Sequence, residues 1–223
     1  MKLKYEQKIF VWLFLLIFTS GYLNAASLII YTRAVSHHTG NVTNFALYLL
    51  TNRPDTALSL LAIMVAFFLG GVLSGFMFHE QPASSSKKFG IKLIVDAAVL
   101  LIMHFLMEDL FIRYIIISFI LGSQNAFLFK YRGLTTRITH LTGYITDAAV
   151  FFGRRIRGNR EDMPRFWFLT FQTLGFLVGA GIGCLLVKLD RRLYLTLPAA
   201  IYVLAGLFYL IYIYREDQEE ASA

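Results

Sequence analysis

The chain has 223 residues, of which 57% are hydrophobic and only 16% are charged, and its mean hydropathy is +0.60. Soluble domains usually carry about 25% charged residues, so the composition excludes an ordinary soluble domain and indicates an integral membrane protein. The formal charge of +7 is explained by basic residues that flank membrane spans and set their orientation, so no nucleic-acid partner is expected. A lone cysteine, Cys184, excludes an internal disulfide.

Six apolar runs approach or exceed the ~18–20 residues that a helix needs to cross a bilayer. The six predicted spans are Ile9–Tyr31, Ala57–Phe78, Ile91–Met107, Phe111–Phe129, Phe166–Val187 and Leu193–Ile213. Two shorter runs, Val42–Leu50 and Tyr144–Phe152, each follow a Thr-Gly pair. A helix that short crosses about half of a ~30 Å hydrocarbon layer.

The basic N-terminus followed by a long apolar run is similar to a secretory signal. We expect no cleavage, because Ile9–Tyr31 is longer than the usual signal core and its far end matches an internal segment.

Matching residues indicate that the chain contains two copies of one unit, residues 1–108 and 109–223. Three sets of pairs carry the match: Gly21/Gly122 and Asn24/Asn125 at a spacing of 101; His37/His140, Thr39/Thr142, Gly40/Gly143 and Asn44/Asp147 at 103; Gly71/Gly175 and Gly75/Gly179 at 104. Because order and spacing persist through three elements, we interpret the pairs as a duplication.

The distribution of basic residues decides whether the short helices cross the membrane. If they do not, and the N-terminus is cytoplasmic, 15 of the 21 Lys and Arg lie on the cytoplasmic side. If they do, the split is 11 against 10. Only the six-span arrangement follows the positive-inside rule. Three spans per copy make the copies inverted, with both chain ends cytoplasmic and with Glu216–Glu220 as a solvated tail.

Each Thr-Gly pair marks a break at which a short re-entrant helix begins. Thr39 or Asn41 can cap the first short helix, Gly40 permits the turn, and the free N–H groups with the helix dipole favour an anion. Inverted copies that each contribute a broken helix are typical of secondary transporters with a central site. The alternative is a pair of hairpins that only plug the bundle. The candidate site residues are Asn24, His37, Thr39, Gly40, Asn41, Asn44, Asn125, His140, Thr142, Gly143 and Asp147.

The polar residues of this candidate site each have a structural alternative. Asn24 and Asn125 either face the segment that carries the Thr-Gly pair and line the site, or make hydrogen bonds that hold the helices together. His37 and His140 either carry protons or cap the short helices. Asp147 is the unmatched charge of its pair and a candidate cation or proton ligand, with Asp96 as a second candidate. Each could instead pair with an Arg of the cytoplasmic loops, and Asp96 lies only four residues from Lys92.

Other patterns add little chemistry. Glycines at four-residue intervals, in Gly70-Gly71 and Gly75 and in Gly175 to Gly183, predict closely packed helix faces or a sliding surface. A serine hydrolase using Ser74 and His104 is disfavoured because the Gly-x-Ser-x-Gly order is absent and because Ser74 corresponds to Val178 in the other copy. No phosphate loop or zinc pattern occurs, so neither enzymatic activity nor a cofactor is expected.

Gly21-x-x-Asn24-Ala25 followed by Ser36-His37-x-Thr39-Gly40-Asn41 resembles the YoaK-like family of bacterial membrane proteins, domain of unknown function 1275. The resemblance covers nearly the whole chain. It implies a six-helix inner-membrane protein of unestablished function. The family typically has an acidic residue where Asn24 stands, so the chain departs from the pattern there.

The sequence therefore predicts an all-α, multi-pass protein of the bacterial inner membrane. Its most favoured function is a small secondary transporter or permease-like protein whose midplane site lies between the two inverted repeats, with the lipid bilayer and an unknown small solute or ion as its partners. The alternative is a non-transporting membrane scaffold or assembly partner. The sequence also allows a homo-oligomer that packs through the glycine faces.

Overall fold

The computed structural model describes residues 5–78, 86–127 and 129–215, and the described part is almost wholly helical. The predicted tail Glu216–Glu220 lies outside the described residues, as do residues 79–85. The helices are α1 Tyr5–Tyr31, α2 His38–Leu50, α3 Pro54–Met77, α4 Lys88–Leu106, α5 Leu110–Asn125, α6 Leu141–Ile156, α7 Met163–Leu189 and α8 Thr196–Phe208, which continues as a π-helical turn over Tyr209–Tyr214.

Five of these helices are long and apolar enough to cross a membrane: α1, α3, α4, α7, and α8 with its π-helical end. Large apolar side chains cover their outer faces; Phe76 is 80% exposed and Phe105 is 73% exposed. A soluble protein rarely exposes apolar surface on this scale. The prediction of a multi-pass helical membrane protein is confirmed.

The fourth predicted span was too long. α5 begins at Leu110, where the Asp109 side chain accepts hydrogen bonds from the N–H groups of Phe111 and Ile112, and it ends at Asn125 after 16 residues. The prediction extended it to Phe129, because Ala126–Phe129 is also apolar. Phe127 is instead buried in an aromatic cluster against Trp12 and Phe89, which lie on other helices.

A short β-hairpin follows α5 and is the one departure from the all-α prediction in the described part of the chain. β1, Phe129–Tyr131, pairs antiparallel with β2, Leu134–Thr136. The turn residues Arg132 and Gly133 both have positive φ, as a two-residue hairpin turn of the primed type requires.

The helices pack in pairs that join the two halves of the chain. α1 lies along α7, α3 lies along α5, and α4 lies along α8, while α2 packs on α3 and α6 packs on α7. The repeat matches α1 to α5, α2 to α6, α3 to α7 and α4 to α8. When the matched helices trade places, α1 with α7 becomes α5 with α3, α2 with α3 becomes α6 with α7, and the set of pairs is unchanged.

Glycines allow the two long pairs to touch backbone to backbone. A methyl group added at Gly179 of α7 would overlap the carbonyl oxygen of Phe18 on α1, and one added at Gly70 of α3 would overlap that of Phe119 on α5. These two contacts are equivalent in the two halves. Phe18 and Phe119 are 101 positions apart, as the repeat predicts for α1 and α5. Gly70 and Gly179 are 109 positions apart, so the predicted spacing of 104 was wrong for α3 and α7.

The glycine faces also differ from the prediction. Gly71, Gly75 and Gly181 have no atom within 4 Å of the position where a side chain would begin. They lie on open helix faces, because only one side of α3 and of α7 meets its partner helix. Close packing is confirmed for Gly70, Gly175, Gly179 and Gly183.

Candidate functional site

The two breaks that the sequence singled out are built alike. The side-chain oxygen Oδ1 of Asn24 accepts hydrogen bonds from the backbone N–H and the hydroxyl of Ser36, at 3.3 and 3.0 Å. Asn125 Oδ1 accepts one from the N–H of Thr139, at 2.8 Å. Each amide therefore holds the segment that leads into a short helix, as predicted from its position.

The segment before α2 folds back along α1. Asn24 lies seven residues before the end of α1, yet it contacts Ser36, which lies beyond that end. α2 then begins at His38, whose ring packs against Phe67 near the middle of α3, with centroids 4.2 Å apart. α2 runs back to the start of α3, so the chain makes a hairpin beside α3.

The histidine at each break occupies the N-cap position without capping through its side chain. The ring of His37 lies over Gly40, and the ring of His140 lies over Gly143. A side chain at either glycine would press on the imidazole, so the glycines make room for the rings. The expected capping hydrogen bonds from Thr39 and from these histidines are not formed.

Asn41 is buried and makes a different contact from the predicted cap. Its Nδ2 donates to the carbonyl oxygen of Ala34 at 2.9 Å, which ties the first turn of α2 to the returning segment. The equivalent position in the second half is Tyr144, whose hydroxyl accepts a hydrogen bond from the N–H of Arg137.

The structure does not assemble all the predicted site residues in one place. Thr39 and Asn44 are exposed on α2, and Thr142 and Asp147 are exposed on α6, the outer faces of helices that pack on α3 and α7. Asp147 has no ion pair or hydrogen bond with any described residue, so the predicted role of its charge has no geometric support.

A cleft of about 560 Å³ does bring residues of both halves together. His38 lines it from the first break, and Asn125 and Arg137 line it from the second. Its lining residues are His38, Met64, Phe67, Phe68, Gly71, Val72, Gly122, Asn125, Ala126 and Arg137. The open face at Gly71 forms part of its wall, which explains why no neighbour packs there.

The cleft offers one full positive charge and two neutral polar groups. The exposed guanidinium of Arg137 forms no ion pair with any described side chain. His38 is on α2, outside the five candidate spans; burial lowers the pKa of its imidazole to about 4, with a further lowering by His37, so the ring is neutral at neutral pH. Its Nε2 is buried and has no hydrogen-bond partner among the described residues.

A second polar group lies between α4, α5 and α8. Lys92 Nζ and Asp96 Oδ2 are 2.6 Å apart, and Gln124 Nε2 donates to the same carboxylate oxygen at 3.3 Å. Tyr202 completes the group by donating its hydroxyl to Gln124 Oε1 at 3.0 Å. We call these four side chains the ion-pair network.

The sequence pointed to part of this network only. It named Asp96 as a candidate with Lys92 four residues before it and an Arg of the cytoplasmic loops as the alternative partner, and the structure shows that Asp96 pairs with Lys92. Gln124 and Tyr202 were missed. Gln124 could have been found, because it is a polar residue in an apolar helix and lies next to Asn125. Tyr202 could not, because a tyrosine in an apolar run does not by itself indicate a polar contact.

Ser74 has a structural role. Its hydroxyl donates to the carbonyl oxygen of Ser123 at 2.6 Å, whereas His104 contacts Phe105. Ser74 corresponds to Gly183, which meets Tyr22, and not to Val178 as the spacing of 104 implied. No cluster of three or more metal-ligating side chains occurs among the described residues.

Comparison with known proteins places the whole arrangement in a family. Residues 12–210 match the family described as Protein of unknown function (DUF1275). The chain belongs to the DUF1275 family. The match spans both breaks, the cleft and the ion-pair network of this DUF1275 protein. No curated protein and no solved structure matches the chain.

Proposed function

We propose that this DUF1275 protein is a gradient-driven secondary transporter of a small organic anion and that the solute binds in the cleft between the two breaks. The observation that carries the proposal is that one cleft is lined by His38 from the first half of the chain and by Asn125 and Arg137 from the second. A site shared between two structural repeats is the arrangement found in many secondary transporters.

The proposed topology has six spans, with α5 as the sixth, in two inverted repeats. Two observations support it: the helix pairs are unchanged when the halves are exchanged, and the charge distribution favours short helices that do not cross. We also propose a location in a bacterial inner membrane and a role without catalysis or a cofactor.

The chemistry of the cleft favours a carboxylate on an apolar skeleton. An unpaired guanidinium binds a carboxylate through two parallel N–H donors, and Arg137 is the only basic side chain charged at neutral pH among the cleft residues. Asn125 keeps its Nδ2 group for a solute because its Oδ1 is occupied by Thr139. Phe67 and Phe68 supply apolar wall.

The test is tracer flux in liposomes that contain the purified protein, with hexanesulfonate and benzenesulfonate as probe anions, because these strong-acid anions do not cross lipid as neutral acids. We expect flux of either anion and its loss in Arg137→Gln. Arg157→Gln is the matched control, since Arg157 is also exposed and basic but does not line the cleft.

Flux in Arg137→Gln as fast as in wild type would contradict the cleft as the anion site. If no anion or other solute in a broad panel produced flux in the wild type, the transporter proposal would fail. The protein would then be better described as a membrane scaffold.

A further inference from the structure

The ion-pair network is unusual for its place in the chain. Lys92 and Asp96 are each 6% exposed, Gln124 and Tyr202 are fully buried, and α4 and α8 are both candidate membrane spans. Ionisable residues inside a membrane domain are costly and mostly serve transport paths or proton relays.

Stability alone gives a weak reason for this pair. Replacing a buried ion pair by apolar residues of similar size is often neutral or stabilising. The surrounding helices could therefore pack equally well without Lys92 and Asp96. The pair is also incompletely shielded, because it borders a cavity.

That cavity reaches the pair from the start of α4. It has a volume of about 460 Å³, and both Lys92 and Asp96 line it, together with Lys88. Lys88 is exposed and its Nζ donates to the carbonyl oxygen of Met77 at the end of α3. The cavity thus extends from Lys88, at the α4 N-terminus, to Lys92 and Asp96.

The last turn of α5 links the network to the cleft. Three consecutive residues bond to four different parts of the fold: Ser123 accepts from Ser74, Gln124 bonds to Asp96 and Tyr202, and Asn125 accepts from Thr139. A change at Asp96 therefore reaches Asn125, a cleft residue, through one neighbouring residue in the same helical turn.

We propose that Asp96 is the site that binds and releases the coupling proton. Its carboxylate takes a proton from water in the cavity and becomes a neutral carboxylic acid; no electrons move. The Lys92 ammonium then loses its anionic partner and Gln124 loses a charged acceptor, which loosens the end of α5. Release of the proton to water restores the pair. The coupling role rests on the proposed transport function, whereas proton binding does not.

Few other titratable groups face Asp96. α4 contributes Lys92 and Lys88, and α8 contributes Tyr202 through Gln124. The cavity residues of α3 and α5 are apolar, with Leu73, Met77 and Ile120 among them. A carboxyl group that titrates at this site is therefore Asp96.

Infrared difference spectroscopy of the protein in liposomes, recorded between acid and alkaline pH, tests proton binding without any substrate. We expect a protonated-carboxyl band that is lost in Asp96→Asn and kept in Asp147→Asn, whose carboxylate is exposed on α6. Asp96→Asn leaves Lys92 unpaired and can prevent folding. In that case the double variant Lys92→Gln/Asp96→Asn replaces the single variant in the same measurement.

Flux of the probe anions tests coupling. We expect a pH gradient to accelerate flux in the wild type and to have no effect in the double variant, which should still exchange anion for anion. If the wild-type spectrum lacks a carboxyl band that depends on Asp96, or the double variant responds to the gradient as wild type does, the proposal is wrong. Absence of any wild-type flux would contradict the transport function but not the spectroscopic result.

Discussion

Among single residues, Asn24 and Asn125 show how far a sequence position can predict a contact. Both were expected to face the segment before a short helix, and both do, through Oδ1 alone. A residue with an acceptor at this position is needed because the backbone N–H of Ser36 or Thr139 has no helical partner at the break. The acidic residue that the resemblance implies at position 24 would supply the same acceptor.

The Asn24 contact makes a direct prediction. Asn24→Asp should keep the stability of wild type, since a carboxylate accepts the same hydrogen bonds. Asn24→Leu should lower the free energy of unfolding by about 1–3 kcal/mol, the cost of leaving a part-buried donor unpaired. Unfolding in detergent measures both. Asn44→Leu is the control, because Asn44 is exposed and outside this contact. Equal stability of the two leucine variants would contradict the role of Asn24.

Gln124 and Tyr202 show the limit of prediction at this scale. Their hydrogen bonds join α5 to α4 and α8 over 28 and 78 positions of sequence. Nothing local in the sequence encodes which face of each helix turns toward the others, so these partners appear only when the helices are packed.

At the scale of elements, the helices themselves were largely predictable. Five predicted spans lie within a few residues of α1, α3, α4, α7 and α8, because a long apolar run leaves a membrane chain no alternative to a helix. The end of α5 was not predictable from hydropathy. There the apolar run continues, but Phe127 packs into the core and the chain turns into a hairpin.

The pairing of α1 with α7 predicts opposite effects for two glycines of one helix. Gly179→Ala should lower the free energy of unfolding by about 1–3 kcal/mol, the usual cost of overpacking, since the added methyl group meets the backbone of Phe18. Gly181→Ala should raise it by up to about 1 kcal/mol through helix propensity, because nothing lies beside Gly181. Thermal unfolding in detergent measures both changes, and a shift of the same sign for the two variants would contradict this packing.

At the scale of the whole molecule, the main result is that long helices of each half pack against helices of the other half. α1 and α3 each pack against a helix of the other half, so neither half buries its glycine face alone. We therefore expect the halves to fold as one unit despite the internal repeat.

The proposed topology predicts which side of the membrane each loop faces. In a Cys184→Ser background, a cysteine replacing Glu108, between α4 and α5, should react with a membrane-impermeant maleimide added outside intact spheroplasts. If the short helices α2 and α6 crossed the membrane, this cysteine would lie on the cytoplasmic side and would not react. A cysteine replacing Arg160 should be protected in both arrangements and is the control. Protection of the cysteine at position 108 would contradict the six-span topology.

The sequence by itself determined the class of protein, the positions of the two breaks, and the match of Asn24 in the first half to Asn125 in the second. These follow from hydropathy, from the positions of glycines and from residue spacing, all of which can be read along the chain. Only the tertiary structure decided that Gly70 corresponds to Gly179, that Asp147 faces outward, and that Asp96 meets Gln124 beside Lys92. The reason is physical: each of these depends on the rotation and register of helices packed against one another, which a one-dimensional pattern leaves open.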